Sequence, residues 1–243
     1  MRGLADLLQS GEAEPASIPQ ITAQIVSTAD RMLELVKNLL SVNQLESGGM
    51  TFQFVEFDIT PFVQSALWQY QAQAESKNIT LHFASEAQSS SISADERAVM
   101  QILDNLISNA VKYSPHGKNV FVRIRHSSLV SSHLSLGSSH SFDENSPHPT
   151  KQVTSALMTN APMTNGYVRV EVQDEGEGIS PEDLKKLFGK FARLSARPTG
   201  GEHSTGLGLS IVKKMVEAMH GRVWCESEVG KGATFIVEFP SAG

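Results

Sequence analysis

The sequence predicts an α+β protein: a helical hairpin that pairs with a second copy as a four-helix bundle, followed by an α/β sandwich. Three observations carry this. Between residues 21 and 42, apolar positions recur at alternating spacings of four and three, the seam of packed helices. Beyond residue 51 that period gives way to short alternating segments interleaved with amphipathic helices, without a regular βαβ repeat. The 243 residues are 40% hydrophobic and 19% charged, enough apolar content for a core.

The elements follow in order. Residues 1–11 read as the end of a helix whose beginning is missing, with Leu4, Leu7 and Leu8 on one side and Gly11 as a stop. Ser17 and Gln20 form a capping box, and Pro19 suits a first helical turn. Ile21, Ile25, Thr28, Met32, Leu35, Leu39 and Val42 then make the seam, and Val36 and Leu40 widen it to the stripe of a bundle helix. Gly48 and Gly49 end it. Residues 1–48 are thus expected to form a dimerisation hairpin; the alternative is a hairpin packed on its own domain.

The second domain is expected over 51–243. Phe52 and Phe54 alternate like a strand, and Thr60-Pro61 opens a helix with Val63, Leu67, Tyr70 and Ala74 inward. Segments 79–83, 120–124, 167–172, 223–225 and 234–239 read as strands, the last two around glycines 230 and 232. Residues 95–113 and 206–219 read as helices, the first with Val99, Leu103, Leu106 and Ala110 facing the core. The result is a mixed sheet with helices on one face. The stretch 126–166 is rich in Ser, Thr, Asn, Pro and His, and its composition predicts a disordered loop. Its His133, His140 and His148 are spaced too loosely for a metal cluster and read as solvated.

Composition excludes several classes. Twenty basic against 26 acidic residues give a net charge of −6, which argues against non-specific nucleic-acid binding. Cys225 is the only cysteine, so no intramolecular disulfide can form, as suits a reducing compartment. No apolar run approaches the ~20 residues that span a bilayer, and the first residues do not resemble a signal peptide. The expectation is a cytoplasmic chain without a membrane segment.

Three motifs carry chemistry. Asn105, Asn109 and Lys112 fall at i, i+4 and i+7, on the helix face opposite the aliphatic one. A carboxamide oxygen is a hard ligand suited to Mg²⁺, and a lysine one turn on can meet a phosphate. The plain alternative is a solvated face, although asparagine is a poor helix former. Asp174-Glu175-Gly176-Glu177-Gly178 follows a strand, where a buried aspartate can accept the exocyclic amine of adenine and glycines let backbone approach the base. The same motif is also an acceptable turn. Thr205-Gly206-Leu207-Gly208 opens a helix, with Thr205 as N-cap and free N–H groups at the positive helix end for phosphates. Between these motifs, 179–204 carries Lys190, Arg193, Arg197 and two adjacent glycines, the composition of a lid over a nucleotide.

In sequence and order, NLISNAVKY, DEGEGI, LFGKFARL, TGLGLSIV and GKGATFIVEFP resemble the N, G1, F and G2 boxes and closing strand of two-component sensor histidine kinases. The stretch ending in LVKNLLSVNQLESG is similar to the second helix of that family's dimerisation and phosphotransfer domain. The resemblance covers nearly all of the chain except 126–166. It implies ATP and Mg²⁺ as cofactors: Asn109 would ligate the metal with Asn105 in support, and Lys112 and Tyr113 would contact phosphate and base. Asp174 would bind the adenine amine above Gly176 and Gly178, with Thr234 near the water beside it. Phe188 and Phe191 would anchor the lid that brings Lys190 and Arg193 to the nucleotide. Thr205, Gly206, Leu207 and Gly208 would form the phosphate loop. The family is related to the ATPases of gyrase, mismatch-repair and heat-shock chaperone proteins.

The reaction implied is transfer of the ATP γ-phosphoryl group to a histidine and onward to an aspartate of a response-regulator receiver domain. One departure stands against it. The family phosphorylates a histidine on the first hairpin helix, whereas no histidine here precedes His82, which falls in a strand; MRGLADLL resembles a piece beyond the expected histidine. No catalytic residue is therefore expected in this chain: ATP binding should occur and self-phosphorylation should not. The alternatives are a non-catalytic, ATP-binding dimeric scaffold that regulates a partner, and a serine-directed kinase or ATPase of the same superfamily.

Overall fold

A computed structural model describes residues 10, 14–87, 89–127, 166–192, 194–200, 202 and 204–242, without the side chains of 30, 31 and 34. Nearly all of the helix expected over 1–11 and of the loop expected at 126–166 lies outside the described residues.

Helix α1 (Ile18–Glu46) begins behind Ser17 with proline in its first turn. The capping box does not form: the Ser17 hydroxyl donates back to the Glu14 carbonyl at 2.7 Å, so it is turned away from the helix N–H groups. One side of α1, with Val42 and Asn38 buried and Leu45 half-buried, lies against the sandwich. The other side leaves Val26, Met32, Leu33, Val36, Leu39 and Leu40 exposed.

Strand β1 (Val55–Asp58) starts later than the Phe52–Phe54 alternation suggests, because the Gln53 N–H donates to the Asp95 carboxylate at 2.8 Å instead of joining a ladder. It pairs antiparallel with β3 (Ser91–Ala94), a four-residue strand in which Ser91 and Ser93 alternate with the buried Ile92 and Ala94. The remaining strands are β2 (Thr80–Ser85), β4 (Asn119–Ser127), β5 (Tyr167–Asp174), β6 (Arg222–Ser227) and β7 (Ala233–Pro240). They form one sheet in the order β2-β4-β5-β7-β6, parallel only between β2 and β4.

The inner face of that sheet alternates Val120, Val122 and Ile124 with Val168, Val170 and Val172, each fully buried. Against it pack α2 (Thr60–Ser76), α3 (Glu96–Tyr113) and α5 (Gly208–Ala218) through Val63, Ile102, Leu106, Ile211 and Met215. Burying such side chains is worth ~1.5–3 kcal/mol each. The outer face carries paired charges: Arg125 with Glu171 at 3.2 Å, and Arg169 with Glu238 at 2.8 Å. The expected sandwich, with helices on one face of a mixed sheet, is the fold observed. A single turn, α4 (Pro181–Leu184), follows β5.

Candidate functional site

Helix α3 supplies one wall of a cleft. Asp95 caps it, accepting the Ala98 N–H at 2.9 Å, which fixes the phase of every residue after it. Leu103, Leu106, Ile107 and Ala110 then point into the core, and Asp104, Asn105, Asn109, Lys112 and Tyr113 stay half-buried along the cleft. The two asparagines differ. The Asn105 amide donates to the Gln101 carbonyl at 2.9 Å, and its oxygen faces Gly208, where any Cβ would overlap it. The Asn109 carboxamide has no protein partner among the described residues and lines the cleft.

Asp174 closes the far end. It is 4% exposed at the end of β5. Its Oδ1 accepts the N–H groups of Gly176 at 2.8 Å and Ala233 at 3.2 Å, and Oδ2 has no protein partner among the described residues. Burial pushes the carboxyl up to about 6, against the pull of those two amides. Glu175 is spoken for elsewhere, accepting the backbone and side-chain N–H groups of Asn119 at 2.8 and 3.1 Å.

Gly176 and Gly178 line the cleft, and both are also required by neighbouring protein backbone. A Cβ on Gly176 would sit 2.9 Å from the Tyr113 carbonyl. Gly178, at φ 74°, lies so close to the Glu228 carbonyl that a side chain would overlap backbone.

Several expected positions are corrected. Thr234 lies between Ala233 and Phe235, which line the cleft, so the alternation of β7 turns its side chain to the other face of the sheet. The backbone N–H of Ala233 reaches Asp174 instead. Thr205 is not the N-cap of α5. Gly206 takes φ 68°, and the helix begins two residues later behind Leu207. Thr205 instead accepts the Asn38 amide of α1 at 3.3 Å. Leu207 is fully buried in the core, so its side chain cannot touch a ligand. Gly206 and Gly208 do line the cleft. Lys190 is drawn out of it to Glu46 on α1, a carboxylate that also takes Lys214 at 2.6 Å and is held down near 2 by the two lysines. Phe188 packs on the core, but Phe191 is 59% exposed at the cleft mouth in a left-handed conformation and anchors nothing. Arg193 lies outside the described residues.

The segment between α4 and α5 covers the cleft and is pinned at both ends. Asp183 accepts the N–H and hydroxyl of Ser195 at 2.9 and 2.6 Å, which hold its carboxyl below the usual range. Thr199 donates its N–H to the Lys112 carbonyl at 3.0 Å and its hydroxyl to the Ser114 carbonyl at 2.6 Å. None of these residues was legible as functional, since the pairings join distant parts of the chain. The cleft encloses about 1680 Å³, more than an ordinary ligand pocket of ~300–1,000 Å³, because it runs from Asp174 to the flank of α1. Among the described residues no group of three His, Cys, Asp or Glu is placed to hold a metal by itself. No helix among them is long and apolar enough to cross a membrane. The arrangement offers a buried acceptor at one end, a carboxamide oxygen midway, and a glycine loop at a helix start. A flat amine-bearing base with a phosphate tail fits that order.

Comparison with known proteins agrees. The family model described as histidine kinase-, DNA gyrase B-, and HSP90-like ATPase matches residues 94–243. The sensor histidine kinase WalK of Bacillus subtilis is 27% identical over 241 residues, which is 99% of this chain and 34% of WalK. The chain thus spans about a third of that relative's length. Full-length ShkA, solved with AMPPNP, superposes with a TM-score of 0.67 at 25% identity, over 99% of this chain and 42% of that one. The Acinetobacter baumannii histidine kinase AdeS shares the fold at a TM-score of 0.66 and 18% identity, over all of this chain and 93% of its own. The chain belongs to the histidine kinase-, DNA gyrase B-, and HSP90-like ATPase family, and within it has the catalytic core of a histidine kinase.

Proposed function

We propose that this chain binds ATP with Mg²⁺ as the catalytic core of a two-component sensor kinase, whose phosphoryl group goes to a histidine and then to a response-regulator aspartate. The observation that carries the reading is Asp174. A carboxylate buried at a strand end, with one oxygen taken by two backbone amides and the other without a partner among the described residues, is built to accept an amine. Lys112, Tyr113, Gly206 and Gly208 then lie along the path of the phosphates. The Asn109 oxygen, without a partner among the described residues, suits Mg²⁺, which commonly takes few protein ligands and completes its shell with nucleotide phosphates. Bound there with Asn109, the ion would neutralise phosphate charge. Asn105, pinned to Gln101, holds the wall beside it.

His82 is not the acceptor. It lies on β2, bonded to Asn119 at 2.9 Å and stacked on Phe121, on the outer side of the sheet. The acceptor on this reading is supplied from outside residues 1–243. A receiver-domain partner is supported by ThkA, a histidine kinase of the same fold that was solved in complex with the response regulator TrrA. The exposed stripe of Met32, Leu33, Val36, Leu39 and Leu40 on α1 supports pairing with a second copy. The same cleft also supports one second reading, a non-catalytic ATP-binding scaffold.

The test is to titrate the chain with ATP and Mg²⁺, then add a polypeptide carrying the family's histidine helix. Binding followed by acid-labile phosphohistidine on the added helix is expected. Binding without any phosphohistidine supports the scaffold, and no binding sinks both.

A further inference from the structure

Lys77 follows the last turn of α2 and is 4% exposed despite its charge. Its ammonium donates to the carbonyl oxygens of Val111 at 2.7 Å and Lys112 at 3.1 Å. Those carbonyls belong to the last turn of α3, the negative end of the helix dipole, and compensate the charge only in part. The carboxylate that completes the site is Glu202, 3.2 Å away and 125 residues later in the chain. Its second oxygen accepts the Gly200 N–H at 2.7 Å. Burial works to raise the Glu202 carboxyl, but the backbone N–H groups and Lys77 outweigh it and hold the group below its usual range.

Thr199 is tied to the same helix turn, through the Lys112 and Ser114 carbonyls. Two residues of the lid's C-terminal root therefore reach the last turn of α3, Thr199 directly and Glu202 through Lys77. The arrangement is asymmetric in energy. A buried ammonium that loses its one carboxylate is left uncompensated in a low-dielectric site, so the lid root is held more firmly than an exposed ion pair would hold it.

We propose that Lys77 and Glu202 form a latch fixing the lid root to the end of α3, and that Glu202 is thereby a positioning residue for the phosphate end of a bound nucleotide. The proposal rests on the nucleotide reading of the cleft. Thr205, Gly206 and Gly208 follow closely after Glu202, so the latch sets where the phosphate loop leaves the lid. Among the described residues neither Lys77 nor Glu202 bonds Asp174 or the loop that follows it. Losing the latch should weaken ligands that carry phosphates and spare those that do not.

The experiment uses the full chain with Glu202→Gln, Lys77→Met and the double variant. Amide hydrogen exchange at Thr199 and Gly200 is measured without nucleotide, and affinities for Mg-ATP and for adenosine are measured side by side. In Glu202→Gln, exchange at both amides should rise on the order of tenfold or more, and ATP should bind about tenfold more weakly while adenosine changes less than about twofold. The double variant should be no worse than Glu202→Gln alone, because one interaction is lost once. Unchanged exchange overturns the latch whatever the nucleotide does. Equal losses for ATP and adenosine, or no loss for either, overturn the positioning role. If the unaltered chain binds neither ligand, the nucleotide reading and the positioning role both fall, and exchange alone judges the latch.

Discussion

Replacing Asp174 with Asn should make the protein more stable and unable to bind adenine. The Asn oxygen can still accept the Gly176 and Ala233 N–H groups that now share Oδ1. What disappears is the cost of holding a carboxylate in a buried site. Burial raises the Asp174 carboxyl from 3.8 to about 6, and a rise of that size corresponds to about 3 kcal/mol at neutral pH. Because the folded value lies above the unfolded one, the folded chain holds its proton more tightly. The penalty is therefore complete above pH ~6, falls to roughly half by pH 5, and is nearly gone at pH ~4. Urea denaturation at pH 7 should show the Asn variant unfolding about 1 M later, with the gain shrinking toward pH 4. Binding should move the other way. The Asn nitrogen takes the place of Oδ2 and points a donor at the donor amine of adenine, so titration with ATP should show a loss of at least about a hundredfold. A variant that is less stable at pH 7, or that binds ATP normally, refutes the account of this carboxylate.

Gly178→Ala should destabilise by roughly 2–4 kcal/mol, since it combines a left-handed backbone with overlap on the Glu228 carbonyl; a urea midpoint within error of the parent would remove the argument. Gly208→Ala tests the opposite expectation to the usual one. Alanine normally stabilises a helix by ~1 kcal/mol over glycine, but here its Cβ would displace the Asn105 oxygen and break the bond to Gln101, so loss of stability and weaker Mg-ATP binding are expected. A stabilised variant would mean Asn105 is free to move. Glu46→Ala removes the carboxylate that ties Lys190 and Lys214 to α1. Hydrogen exchange over 185–192 should quicken in low salt while the unfolding midpoint of the sandwich stays put, and identical exchange would show that the tether holds nothing.

Local chemistry was legible and distant pairing was not. Helix α3 could be read almost to the residue, because Val99, Leu103, Leu106 and Ala110 repeat at the helical period. The strand β3 was missed, since the alternation of Ser-Ile-Ser-Ala spans only four residues and carries one large apolar side chain. Asp174 stood out at a strand end, but Thr234 was misplaced because a shift of one residue in a strand exchanges the faces of the sheet. Thr205 looked like a cap by type. Only the left-handed Gly206 shows that the helix starts beyond it. Nothing near Lys77 in the sequence announces Glu202, for a buried ammonium chooses its partner through the fold.

The central strands β4 and β5 stay in register up to Ser127 opposite Tyr167, and Ser241 bonds the Gly166 carbonyl from β7's side through both its N–H and its hydroxyl. Hydrogen bonds between neighbours therefore decide where β5 starts, and the ends at Ser127 and Tyr167 are held together by the ladder itself. The closure cost of a flexible connection grows only with the logarithm of its length, so strand ends held this way tolerate joins of very different length. This edge of the molecule is a place where evolution, or an engineer, can splice in or remove chain while Asp174, at the opposite end of β5, stays where it is.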